Sequence, residues 1–280
     1  MGILRYNYKS EAIGMNTDIM ITYPSGLYTY YPPDPEEKGI GPFQRAGRQY
    51  EENMKFQTIY ILHGGGDDDS LVHRYTRLEY YADQNNVMTV TARVNDSFFI
   101  DTKYGINYYT YITEELPVVV QSLFASSKKR EDNFVIGMAM GGNAALMLAM
   151  KRPDLYAACV DLSGGIGCSI DSDYFVSEVK ASKLKKVKSA FGDPDKLPDS
   201  EFDIGYIARE NIKNKVEVPQ LFMGVGEEDF IRDIVRKDRD ALQKLGYPLY
   251  YEEAPGLGHE WDFWDLYLKK AMNEWLPLKR

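Results

Sequence analysis

The stretch FVIGMAMGGN, residues 134–143, joins a β-rich apolar run to a glycine cluster, and the helix-forming run AALMLAMKR follows at once. A strand that passes through a glycine turn directly into a helix is the unit from which alternating α/β sheets are built. In the tightest form of this turn the flanking residues must be nearly free of side chain, because strand and helix backbones approach closely. Gly137 and Gly141 stand at that spacing around Ala139. The helix would point its N-terminus at the same spot, where unbonded N–H groups and the helix dipole favour negative charge. Taken alone, G-x-x-x-G is equally a tight turn with close strand–helix packing. Position 139 is where such a turn holds a nucleophile, and alanine has no nucleophilic atom.

Working outward from the turn, the same alternation recurs. QTIYILHGGG (57–66), VMTVTA (87–92), AACVDLSG (157–164), VPQLFMGVG (218–226) and PLYYEEA (248–254) are short apolar runs, several ending in glycine, as buried parallel strands do. Helices are expected at about 72–84, 110–126, 140–152, 230–245 and 261–275. Pro117 predicts a kink or a late start in the second, and Pro153 stops the third. Residues 3–9 and 17–23 form an expected antiparallel pair. Strands alternating with helices imply a mostly parallel sheet with helices on both faces. The chain is therefore expected to be one α/β domain over 1–280, with insertions at about 24–54 and 165–215 and no internal repeat.

Composition narrows the function classes. The 280 residues are 44% hydrophobic and 27% charged, and 33 Lys plus Arg against 42 Asp plus Glu give a net charge of −9. No basic cluster is dense enough for nucleic acid. The best run, SKLKKVKS (182–189), is expected to be a solvated helix face. Two cysteines, Cys159 and Cys168, make no disulfide framework, and Cys159 lies in an apolar run as a buried small hydrophobe would. No window approaches 18 uncharged apolar residues, the first residues contain no apolar leader, and Tyr6 stands where a myristoylation signal needs Ser or Thr. A cytoplasmic protein without membrane or nucleic-acid partners is expected. A homo-oligomer is compatible with the sequence, which does not bear on the point.

In a parallel sheet, ligands bind beyond the carboxyl ends of the strands. The run HGGGDDDS (63–70) ends one strand with amides unobstructed by side chains, as stabilisation of an oxyanion requires. The expected donors are the N–H groups of Gly65 and Met140. Asp67, Asp68 and Asp69 invite a metal, but consecutive carboxylates do not converge and no His or Cys completes a set, so neither metal nor cofactor is expected. Of the 3 histidines, His63 is in the glycine loop, His73 starts a helix, and His259 lies in PGLGHEWDFW (255–264) beyond the last strand. A lone histidine is more often structural, yet this one is where a general base would be held. Its acid should come from GVGEEDFIRD (224–233), which offers Glu227, Glu228, Asp229 and Asp233. Asp229, where loop becomes helix, is the choice and Glu228 the fallback; any of them alone could be a helix cap.

In order along the chain, YILHGG, VMTVTARVNDSFFIDTKYG, YITEELP, IGMAMGGNAAL, GEEDF and GHEWDFW resemble the esterase D family of α/β-hydrolases. That family includes tributyrin-type esterases, S-formylglutathione hydrolases, and the feruloyl and acetyl-xylan esterases of carbohydrate esterase family one. The resemblance implies an α/β-hydrolase fold, a nucleophilic serine at position 139, Asp229 as acid, His259 as base, and N–H donors from Gly65 and Met140. Ala139 departs from the pattern, while the acid, the base and the glycines keep it. This selectivity points to an engineered serine-to-alanine change that leaves a binding site without turnover.

The expected substrate is a small neutral ester, feruloyl, hydroxycinnamoyl or acetyl, of plant-derived oligosaccharides. The run RVNDSFFIDTKYGINYYTY (93–111) is dense in aromatic rings, most of them more simply core. Candidate substrate contacts are His63, Gly64, Phe98, Phe99, Tyr104 and Trp261. The alternatives are a generalist short-chain carboxylesterase, an S-formylglutathione hydrolase, and a natural non-catalytic pseudo-hydrolase that binds esters or carbohydrate.

Overall fold

The computed structural model describes residues 1–24, 52–165 and 169–279. Eight strands, β1 Gly2–Lys9, β2 Asn16–Tyr23, β3 Thr58–Leu62, β4 Met88–Ala92, β5 Asn133–Met138, β6 Ala158–Leu162, β7 Gln220–Gly226 and β8 Leu249–Ala254, form one sheet in the order β1-β2-β4-β3-β5-β6-β7-β8. β1 and β2 are antiparallel, as is the β2–β4 pair, and every pair from β4 to β8 is parallel. The strands β3, β4, β5 and β6 are buried at every position, because both faces of the sheet are covered.

Alternation decides which face each side chain joins. Ile59, Ile61, Phe134, Ile136, Val160 and Leu162 enter one core, with Phe263, Tyr267 and Leu268. Tyr60, Leu62, Val135, Cys159, Leu221 and Met223 enter the other, with Leu146, Met147, Val235 and Leu242. The helices are α1 Leu71–Tyr75, α2 Leu78–Gln84, α3 Tyr108–Thr110, α4 Leu116–Leu123, α5 Met140–Lys151, α6 Ser172–Ala181, α7 Lys185–Phe191, α8 Ile204–Lys213, α9 Arg232–Leu245 and α10 Trp261–Lys270. Among the described residues no helix is long and apolar enough to cross a membrane.

The expected helices differ in detail from those observed, and the details have local causes. The single helix expected over 72–84 is two, since Thr76 leaves helical geometry at φ −128°. Its hydroxyl donates back to the Val72 carbonyl at 2.6 Å and accepts the Leu78 amide at 3.2 Å, closing one helix and opening the next. At Pro117 the chain neither stops nor restarts. A π-helical turn, Tyr111–Glu115, bridges α3 and α4, and Pro117 is the second residue of α4. A wider turn accommodates a ring that would strike the Thr113 carbonyl in a regular helix. The insertion at 165–215, expected to be irregular and partly helical, contains α6, α7 and α8. Asp171 and Asp203 cap α6 and α8 by accepting the amides of Tyr174 at 3.0 Å and Tyr206 at 2.8 Å. The lysines of α7 are exposed while Val187, Ala190 and Phe191 are buried. Most of the insertion expected at 24–54, and Cys168, lie outside the described residues.

Candidate active site

The turn after β5 is built by exclusion of side chains. A Cβ on Gly137 would lie 1.8 Å from the Gly141 carbonyl oxygen, and one on Gly141 would lie 2.1 Å from that of Leu62. Gly142 faces Asp161 in the same way, 2.3 Å from Oδ1. No side chain fits at such distances, so the glycines are required where strand and helix backbones cross. Ala139, at the apex, has φ 52° and ψ −117°, a conformation that residues with a Cβ rarely adopt. It is tied to both neighbours: its N–H donates to the Leu162 carbonyl and its carbonyl accepts the Gly142 N–H, each at 2.9 Å. Strained geometry held from both sides presents the residue-139 side chain outward at the carboxyl edge of the sheet.

The glycine loop after β3 lies against this apex. A Cβ on Gly64 would sit 3.5 Å from that of Ala139. The loop is braced from beneath by His63, which is buried. Its Nε2 accepts the Val94 N–H at 3.2 Å, which leaves Nδ1 protonated and donating to the Gly64 carbonyl at 2.8 Å. Burial lowers the His63 pKa, consistent with a neutral ring in that role. The Gly66 amide donates to Asp96 Oδ1 at 2.7 Å, and Asp96 Oδ2 pairs with Lys186 of α7 at 2.9 Å. Within the described residues, the amides of Gly65 and Met140 donate no hydrogen bond. They are unused donors beside the apex.

The third component comes from the loops after β7 and β8. The ladder that starts at Ala139 continues across the sheet edge, Ser163 N–H to the Gly224 carbonyl at 2.8 Å and Glu227 N–H to the Ala254 carbonyl at 2.9 Å. This places the ends of β5, β6, β7 and β8 along one edge. There His259 Nδ1 meets Asp229, 3.0 Å from Oδ2 and 3.2 Å from Oδ1. Asp229 Oδ1 also accepts the Ile231 N–H at 3.0 Å, which fixes the carboxylate before α9 begins. Burial alone would raise the Asp229 pKa. The bonds from His259 and Ile231, with a smaller contribution from Ser163, outweigh it and hold the group below the usual carboxylate range. With Nδ1–H engaged by a carboxylate, Nε2 carries the lone pair. The ring contacts Phe230, at 4.8 Å between centroids and 54°, and Trp264, edge-on at 5.0 Å and 84°.

Of the four carboxylates in the β7 loop, Asp229 alone bonds to His259. Glu227 and Glu228 are exposed, and Asp233 pairs with Arg232 and Arg236. His73 is held in α1 with Nε2 3.3 Å from the Thr91 hydroxyl, and burial lowers its pKa to about 4. The candidate substrate contacts separate. Phe99 is wholly buried against the His63 ring, 5.3 Å between centroids, and Phe98 packs on Phe191 at 5.1 Å. Phe98, Phe99 and His63 are all buried, with Phe98 and Phe99 part of the hydrophobic core. Tyr104 is exposed, and Trp261 is partly exposed and stacked on Tyr75. Residues that the sequence did not single out also shape the site: Asp96 under the glycine loop, Asp161 under Gly142, and Phe230 on the histidine. Asp96 and Phe230 lie within the quoted motifs VMTVTARVNDSFFIDTKYG and GEEDF, but nothing in a linear pattern shows a side chain reaching back to a loop. Among the described residues, no three His, Cys, Asp or Glu side chains converge to hold a metal ion.

Two unused amides, a strained apex and an imidazole oriented by a carboxylate lie along one edge of the sheet, groups of the kinds that nucleophilic acyl transfer uses. Comparison with known proteins gives the same direction. Residues 47–273 match the model of the Esterase family, described as "Putative esterase". The chain is 29% identical to the acetyl esterase of Caldicellulosiruptor saccharolyticus over 286 residues, covering 99% of this chain and 98% of that one. It is similar to the substrate-bound structure of FphF, a fluorophosphonate-binding serine hydrolase of Staphylococcus aureus, with a TM-score of 0.80, 25% identity and 98% of each chain covered. The fold is also shared with a serine-to-alanine mutant of the feruloyl esterase module from Clostridium thermocellum, complexed with sinapinate. There the TM-score is 0.60 at 16% identity, over 97% of this chain and 86% of that one.

Proposed function

This chain belongs to the Esterase family and has the α/β-hydrolase scaffold of a carboxylic ester hydrolase, and from that premise we propose that it is the alanine form of a serine esterase acting on small acyl esters. The observation that carries the proposal is the Asp229–His259 pair, bonded through Nδ1 at the same sheet edge as the strained residue 139. With a serine at 139, its hydroxyl oxygen attacks the ester carbonyl and His259 Nε2 takes the proton. The oxyanion rests on the amides of Gly65 and Met140. His259 then protonates the departing alcohol, and a water activated by the same ring hydrolyses the acyl-enzyme. Asp229 holds the imidazole tautomer and stabilises the cation that forms.

As it stands the chain binds such an ester without consuming it. Loss of the serine from a triad costs on the order of 10⁶ in turnover, by analogy with the handful of triad deletions measured in subtilisin. Acetyl is the favoured acyl group, in keeping with the full-length similarity to an acetyl esterase. Hydroxycinnamoyl esters of oligosaccharides come next. The acidic balance of the chain accords with neutral substrates.

The test is Ala139→Ser, assayed with p-nitrophenyl acetate, p-nitrophenyl butyrate, methyl ferulate and S-formylglutathione. Hydrolysis of the acetyl ester well above the parent chain is expected. No ester hydrolysis from a folded serine variant contradicts the proposal. Ala139 itself supports a second reading, a natural pseudo-hydrolase that only binds. The natural gene discriminates the two, since an alanine codon at 139 favours binding alone.

A further inference from the structure

Five aromatic rings form a continuous row across the site. Phe230 touches His259 at 4.8 Å between centroids, His259 touches Trp264 at 5.0 Å, Trp264 touches Trp261 at 5.1 Å, and Trp261 stacks on Tyr75 at 5.2 Å and 21°. The row is not a core. Its two ends lie open to solvent, Phe230 at 73% and Tyr75 at 54%, while only Trp264 is buried. The rings come from three separate loops and helices: the end of α1, the turn after β7, and the start of α10. Exposed large aromatics brought together beside a reactive imidazole leave apolar faces to be covered by something that visits the site.

We propose that Phe230 and the Tyr75–Trp261 pair are specificity-determining contacts for the alcohol half of the ester, and that they select a neutral six-membered ring with a flat apolar face. The inference rests on the serine-esterase reading, because the direction comes from the histidine. In acyl transfer the imidazole that took the nucleophile's proton returns it to the departing alcohol, so the alcohol oxygen must come within hydrogen-bond reach of Nε2. Phe230, the exposed ring that touches His259, therefore borders the alcohol and not the acyl carbon chain, and the Tyr75–Trp261 pair continues the row one ring further on, beyond Trp264. Phe230 contacts the His259 ring at 4.8 Å between centroids, tilted by 54°, and is 73% exposed to solvent. A pyranose presents C–H groups on one face and a phenol presents a π-face, and both stack on aromatic side chains. A short aliphatic alcohol has no face to offer.

The sequence places Phe230 between Asp229, which bonds His259 Nδ1, and Ile231, whose amide bonds Asp229. Its backbone is thus held by the acid while its side chain is free to serve recognition. At 73% exposure, removing the ring leaves no cavity in the core, so the variant is expected to fold.

The experiment uses three acetates that share an acyl group: phenyl acetate, an acetylated methyl xyloside and ethyl acetate. In the Ala139→Ser chain, Phe230→Ala is expected to lower kcat/KM for the two ring-bearing esters by about tenfold, mainly through KM, a loss in the range of one aromatic contact. Ethyl acetate should change less than twofold, and Tyr75→Ala should act in the same sense but more weakly. If phenyl acetate alone responds, the ring selected is aromatic; if the xyloside alone responds, it is a sugar. An equal loss for all three, with kcat and its pH profile shifted, overturns the proposal and makes Phe230 a positioning residue for His259. No loss for any ester also overturns it. Should Ala139→Ser prove inactive, the esterase reading fails, but the contact can still be decided on the alanine form. There, phenyl acetate titrated by NMR should bind more tightly than ethyl acetate, and equal binding before and after Phe230→Ala refutes the contact.

Discussion

The turn after β5 and the rim formed by the loops after β7 and β8 meet at one sheet edge, yet they are specified in opposite ways. At the turn, identity follows from space: Gly137, Gly141 and Gly142 each face atoms closer than any side chain permits. At the rim, identity follows from bonding: Asp229 is tied to His259 and Ile231, and the imidazole rests edge-on against the buried Trp264. A backbone seat dictated by sterics holds its shape around a residue that has no functional atom, since Ala139 occupies it with φ 52°. A side-chain pair does not. The lesson is that the site's geometry and its reactivity are separable, with the geometry in the turn and the reactivity in the rim.

The largest expected effect lies on the rim. In the Ala139→Ser chain, His259→Ala should lower kcat for an acetyl ester by about 10⁶, and Asp229→Ala by about 10⁴, values scaled from a triad protease. Both should leave the melting temperature within a few degrees. A fully active Asp229→Ala would transfer the acid role to Glu228 and break the division between turn and rim. Next comes the turn. Gly137→Ala should destabilise by more than about 3 kcal/mol, because the new methyl meets a backbone oxygen rather than a flexible side chain. Chemical denaturation measures it, and a near-neutral result would mean that the strand–helix crossing is looser than described.

How far these regions could be read in the sequence follows the same division. The glycine spacing at 137–142 and the apolar runs of β3 and β5 are local patterns, and local patterns survive in a linear text. Asp229 could be preferred to Glu228 because loop becomes helix there, but the contact that brings its loop to that of His259, the Glu228 N–H on the Leu257 carbonyl at 2.9 Å, is tertiary and has no linear trace. Aromatic density misled for the same reason. Phe98 and Phe99 were candidate contacts and are buried, while Phe230, one ring among the residues of an acidic loop, is bare. Burial, not composition, separates them. The 165–215 insertion reads as partly helical without the bounds of its helices, because Asp171 and Asp203, which cap α6 and α8, also read as turn residues.

Smaller effects sharpen the comparison. Burial pushes the Asp161 pKa up to about 8, with Oδ1 accepting the Gly164 N–H at 2.7 Å beneath the turn. An acid whose pKa is raised by folding stabilises fully below its unfolded pKa and loses that contribution as pH rises towards the folded value. Stability should therefore decline from about pH 4 to pH 8, and Asp161→Asn should flatten the decline. Part of the slope will remain, because Asp238 is also raised, to about 7. An unchanged pH slope in urea denaturation would show that Asp161 ionises freely. Smallest is Lys186→Ala, which breaks the partly exposed pair with Asp96. It should cost below about 1 kcal/mol. It should also leave turnover of the serine form nearly unchanged, since Asp96 still accepts the Gly66 amide.

The most direct measurement is acyl capture at position 139. The Ala139→Ser chain is mixed with p-nitrophenyl acetate, quenched in acid during the first turnovers, and its peptides are analysed by mass spectrometry. A single acetyl group on the serine at 139, absent when His259→Ala is added, is the predicted result. A folded serine variant that never acquires the acetyl group, or acquires it elsewhere with equal turnover, would contradict the account.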